Sequence, residues 1–130
     1  MKTIGWSGFL TALIFVCNFN NLAAQDYYAF TGSWEGMFMN DFRTLIKLEI
    51  DTAQNITGRI LLWDGEKQIQ DDELFKINIQ DYNLTFFIMA KETHYKGELD
   101  PGSGELKGVF IFPDESEHPL IVKRTGDSSP

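Results

Sequence analysis

From Thr31 onward, apolar and polar residues alternate with a period of two. In FRTLIKLEID, Phe42, Thr44, Ile46, Leu48 and Ile50 share one face, while Arg43, Lys47, Glu49 and Asp51 share the other. NITGRILLW sets Ile56, Gly58, Ile60 and Leu62 against Thr57, Arg59, Leu61 and Trp63. LFKINIQ groups Phe75, Ile77 and Ile79, and NLTFFIMA groups Leu84, Phe86 and Ile88. Successive side chains of an extended chain point to opposite sides, so this period marks strands with one buried face. Turn-forming clusters separate the runs at Asn40-Asp41 and at residues 51–55, 64–67, 80–83, 100–104 and 113–119. Short strands at this spacing predict an all-β fold, an antiparallel up-and-down meander of eight or nine strands over residues 31–124.

Such a meander has two exposed edges, and closing it into a small barrel removes them. A two-sheet sandwich is the competing architecture, but it needs a long crossing connection, and the turns here are of hairpin length. Four glycines bear on the choice. Each lies between apolar residues two positions away on either side: Trp34-x-Gly36-x-Phe38, Ile56-x-Gly58-x-Ile60, Tyr95-x-Gly97-x-Leu99 and Leu106-x-Gly108-x-Phe110. Alternation turns all four inward. Glycine weakens a strand interior, so its repeated use there points to sharp curvature and to large neighbours that need room. Gly36, Gly58, Gly97 and Gly108 are therefore expected to serve barrel closure.

Trp34 would open the first strand, facing inward near one end. In the last strand, PLIVKR, the parity that turns Leu120 and Val122 inward also turns Arg124 inward. First and last strands are neighbours in a closed meander, so Trp34 and Arg124 are expected to meet there as a cation–π pair. The alternative is an exposed Arg124 at a fraying terminus. The inward set is rich in large side chains. Trp34, Phe38, Ile60, Phe86, Tyr95 and Phe110 are the candidate lining of a cavity, with a fully packed interior as the competing outcome.

The ends of the chain add a second domain-scale feature. Met1-Lys2, the apolar run 9–16 and the small-residue stretch 22–25 have the three-part layout of a secretory signal. Residues 1–24 are expected to be a signal-peptide helix, cleaved after Ala24 or Gln25, which places the mature chain in the periplasm or outside the cell. An uncleaved anchor is the alternative, and no membrane contact is expected after cleavage. Residues 125–130 read as a tail or linker. The one cysteine, Cys17, falls inside the signal, so neither a disulfide nor thiolate chemistry is expected in the mature domain.

The net charge of −8 opposes binding to phosphate backbones, and nucleic acid is not an expected partner. Catalytic signals are weak. Ser103 in PGSGE has the wrong spacing for a nucleophile elbow. His94 begins a strand, His118 lies in an acidic loop, and neither has a sequence partner that makes a triad. Asp114, Glu115, Glu117 and His118 lack the glycine-turned spacing of a calcium loop and read as a solvated turn, as does the charge run Gln70–Glu73. No catalytic residue, metal or cofactor is expected.

The Gly32-x-Trp34 start paired with Arg124 resembles the lipocalin and wider calycin barrels. The order SWEGMF, LIKLEID, ITGRI, the long run 84–110 and HPLIVKR resembles something narrower. It is similar to the small β-rich domain that precedes the catalytic domain in many secreted bacterial α/β-hydrolases. The most specific part is Tyr95-Lys96-Gly97-Glu98-Leu99 followed by Gly104-Glu105-Leu106-Lys107-Gly108. Val109 and Phe110 stand where that family often carries tryptophan, and these 130 residues contain no hydrolase domain. The resemblance implies a calycin-like barrel and a non-catalytic role, with a hydrolase domain or another secreted protein as partner. The lipocalin likeness implies the other reading, a small apolar ligand held inside the barrel.

Overall fold

The computed structural model describes residues 28–125. The expected signal segment, residues 1–24, lies outside the described residues, as does the expected tail beyond Thr125. The described chain forms nine strands: β1 (Gly32–Phe38), β2 (Phe42–Ile50), β3 (Ile56–Asp64), β4 (Lys67–Glu73), β5 (Phe75–Gln80), β6 (Asn83–Ile88), β7 (Thr93–Asp100), β8 (Glu105–Ile111) and β9 (Glu117–Arg124). A 3₁₀ turn, Met89–Lys91, leads from β6 to β7.

All pairings are antiparallel, and the sheet order is β4-β3-β2-β1-β9-β8-β7-β6-β5. First and last strands lie side by side, with Trp34 opposite Arg124 and Gly36 opposite Val122. The fold is all-β, an antiparallel and nearly closed barrel, as the alternation predicts.

The gap in the wall lies between β4 and β5. Counting antiparallel steps around the sheet, these two strands run in the same direction, separated only by Leu74. They are two halves of one pass: the first half pairs with β3 and the second with β6. Leu74 stitches the crossover, its N–H donating to the Gly58 carbonyl at 2.9 Å. Beside β4, β6 is left without that partner. The resulting split lies toward the end of the barrel that carries the turns 39–41, 65–66, 89–92 and 112–116, called here the open end.

Two local readings need correction. Gln70–Glu73 is not a loop but the second half of β4. It is nearly devoid of apolar side chains because it is an edge, where charge discourages pairing with another chain. Phe75 does not join Ile77 and Ile79. It pairs with Phe87, whose neighbours Phe86 and Ile88 point inward, so Phe75 faces out. The cause is a bulge at Lys76, whose φ of 51° inserts one extra residue and reverses the faces. Leu74 takes the inward place instead.

The four glycines divide into two pairs. A Cβ on Gly36 would stand 2.2 Å from the Ile121 carbonyl oxygen, and one on Gly58 would stand 2.7 Å from that of Lys47. Here backbone approaches backbone, as strong curvature requires. Gly97 and Gly108 face each other across β7 and β8 and make room for the Tyr95 ring, which lies across both. Tyr95 stacks on Phe86 at 4.9 Å and tilts against Phe110 at 5.1 Å.

Burial pushes the Tyr95 phenol well above its ordinary pKa. The unfolded chain therefore ionises first as pH rises. Stability tied to the neutral phenol is complete below about pH 10 and is lost above it, at up to about 1.4 kcal/mol per pH unit. Urea titrations between pH 8 and 11 are expected to show this fall in the wild type and a flatter one in Tyr95→Phe. Equal slopes would place the phenol in water.

Candidate functional site

The two ends of the barrel are built differently. At the closed end, residues 28–30 form a helical turn that lays Phe30, fully buried, under the barrel beside Trp34. The indole Nε1 donates to the Phe30 carbonyl at 2.9 Å. The Arg124 guanidinium lies 4.6 Å from the Trp34 ring centre, and its two terminal nitrogens donate to the carbonyls of Thr31 and Ala29. One side chain thus stacks on the tryptophan and donates to two carbonyls at the end of the helical turn. Desolvation lowers the pKa of this guanidinium, which nonetheless stays charged, as arginine does in proteins.

At the open end the interior is not filled. A cavity of about 210 Å³ opens between the strands there. Phe38, Phe110, Phe112 and Pro113 form one wall, with Phe38 and Phe110 packed edge to face at 5.2 Å. Ile60, Leu62 and Ile88 supply aliphatic surface. The polar lining is confined to Gln70, Lys91 and Thr93, on the side where β4 and β6 part. The Thr93 hydroxyl is occupied, donating to the Lys91 carbonyl at 2.8 Å. Gln70 donates from Nε2 to the Asp72 carboxylate at 2.7 Å. A second hollow, of about 260 Å³, lies on the outer face of β2 and β3 and is walled by Lys47, Glu49, Thr57, Arg59 and Glu73.

Of the residues expected at a cavity wall, Phe38, Ile60 and Phe110 are there. Trp34, Phe86 and Tyr95 are not. Trp34 belongs to the closed end, and Phe86 and Tyr95 fill the middle of the barrel against the two facing glycines. Of the closure residues, Trp34 and Arg124 pack together, and the four glycines lie at close approaches. The cavity wall also takes in Leu62, Ile88 and Phe112, inward positions by alternation that the candidate lining left out. Lys91 sits in a turn, where period-two alternation says nothing.

The β8–β9 turn brings Asp114, Ser116 and His118 together. Ser116 Oγ donates to Asp114 Oδ1 at 2.5 Å and lies 2.9 Å from His118 Nε2. Hydrogen bonds from Ser116 hold the Asp114 carboxyl below the usual carboxylate range. A hydroxyl has one hydrogen. Given to Asp114, it leaves Oγ as acceptor, so His118 Nε2 must donate. A serine nucleophile needs the reverse, an imidazole that accepts. The network closes the turn and presses His118, a β9 residue rather than a loop residue, against the Phe112 ring at 4.2 Å. It thereby braces the aromatic wall of the pocket. Among the described residues no group of three or more His, Cys, Asp or Glu is placed to hold a metal ion.

Comparison of this chain with protein-family models, with curated proteins and with solved structures finds no match.

Proposed function

We propose that this barrel is an exported, non-catalytic binder of a small apolar molecule, held in the pocket at the open end. One observation carries the reading: an apolar cavity of about 210 Å³ opens at one end while the other end is sealed by Phe30, Trp34 and Arg124. The cavity is larger than the ~150 Å³ cavity that accommodates benzene, so it suits a single ring or a short chain. Burying roughly 200 Å² of apolar ligand contributes about 5 kcal/mol before association costs. That corresponds to a dissociation constant near 0.2 mM at best, on the order of a weak, exchanging ligand. Export is supported by the layout of residues 1–25.

The test is calorimetric titration with 1-hexanol, an uncharged probe of suitable length. Saturable binding is expected, with a rise in Tm that follows ligand concentration. Leu62→Trp, which places an indole in the pocket, is expected to abolish both effects while the barrel stays folded. Absence of binding by the wild type would overturn the reading.

Docking against a hydrolase domain or another secreted protein is the second reading. It is favoured by Met37 and Ile121, large apolar side chains about half exposed on the adjacent strands β1 and β9.

A further inference from the structure

The pocket is not uniformly apolar, and its polar groups are not scattered. Gln70 stands on β4 and Lys91 in the turn that follows β6, one on each bank of the split. The opposite wall is aromatic. A ligand lying in this pocket would have its apolar part against Phe38, Phe110 and Phe112 and its polar end at the split. We infer that the ligand is an amphiphile with one anionic head, a short-chain or single-ring carboxylate whose oxygens meet Lys91 at the mouth. This rests on the proposed binding of an apolar molecule in the same pocket.

The charge on Lys91 carries the argument. Among the described residues the ion pairs use Arg43, Arg59, Lys107 and Lys123; Lys91 is in none of them. Lys91 is exposed but lines the mouth of an apolar cavity, where a contact charge is screened less than one in open water. Asp72 faces inward on β4, opposite Ile60, where its Oδ2 accepts the Gln70 amide hydrogen; it does not line the pocket wall. The Gln70 bank is therefore the less favourable side for an anion, whose head would turn to Lys91 on the other bank. The carboxylates of Asp41, Glu66, Glu92, Asp114 and Glu115 are exposed in the turns of the open end. They slow the approach of an anion, but each acts across solvent with a screening length of about 10 Å at 0.1 M salt. An ammonium head would meet Lys91 itself.

The test uses three ligands with one chain length, hexanoate, 1-hexanol and hexylammonium, titrated at pH 7 and 0.1 M salt into wild type, Lys91→Gln and Lys91→Arg. In the wild type, hexanoate is expected to bind about fivefold more tightly than 1-hexanol, the size of an exposed but charge-assisted pair, and hexylammonium most weakly. Lys91→Gln is expected to bring hexanoate and 1-hexanol within about twofold of each other, and Lys91→Arg to restore the preference. Binding of 1-hexanol without a preference for hexanoate, a preference that survives Lys91→Gln, or tightest binding of hexylammonium would overturn the anionic head and leave the pocket standing. No binding of any of the three would sink the pocket reading and this one with it.

Discussion

Gly108→Ala is expected to cost about 3 kcal/mol of stability, lowering Tm by roughly 15 °C in a domain of this size. The methyl would stand 2.4 Å from the Lys96 carbonyl oxygen and 2.4 Å from the Tyr95 hydroxyl. Neither yields easily: one belongs to the paired backbone of β7, the other to a ring wedged between Phe86 and Phe110. Gly97→Ala differs in a telling way. The nearest atoms to its Cβ, at 2.7–3.0 Å, all belong to the Tyr95 ring. In a Tyr95→Leu background the Gly97→Ala penalty, about 2 kcal/mol with tyrosine present, is expected to vanish, and the lower entropy of the unfolded alanine chain can make the change favourable. Gly108→Ala should keep a penalty in that background, because the Lys96 carbonyl remains. Urea denaturation of the single and double variants measures both couplings. Additive effects at position 97 would mean that the ring does not need the space.

Arg124→Ala is expected to destabilise the barrel by about 2 kcal/mol, from loss of a cation–π contact together with charge-assisted hydrogen bonds at a partly solvated site. Two carbonyls at the end of the helical turn lose their donor, and the turn loses its tie to β9. The damage should be local first: protease sensitivity is expected to rise in the segment before β1 at denaturant levels that leave the rest of the barrel intact. Arg124→Lys should recover less than half of the loss, since an ammonium cannot stack flat on the indole while reaching both carbonyls. A lysine variant as stable as wild type would reduce the site to simple charge.

The barrel was legible in the sequence because a half-buried strand writes its geometry as alternation, and most of this chain is half-buried strand. The meeting of Trp34 and Arg124 followed from parity plus closure. Parity fails where a residue is inserted. Lys76 in a left-handed conformation reverses the faces of β5, and nothing in LFKINIQ marks it, since Phe75, Ile77 and Ile79 keep a plausible spacing. Composition misled in β4 because an edge strand at a split has little apolar surface to cover. The site was half legible for a related reason. Alternation names inward residues but not the depth at which the interior stops being filled. That depth depends on the Tyr95 ring lying over Gly97 and Gly108 and leaving the space above it to Phe38 and Phe110. Lys91 belongs to the pocket only because the 3₁₀ turn overhangs the split.

The division into a sealed end and an open one is tested most directly by xenon, which enters dry apolar cavities without needing a polar partner. Methyl NMR spectra recorded under xenon pressure should show shifts at Ile60, Leu62 and Ile88, and none at Leu48, Leu106 and Val122. No shift at any methyl, or shifts centred on the residues around Trp34, would contradict a pocket at the open end of this barrel.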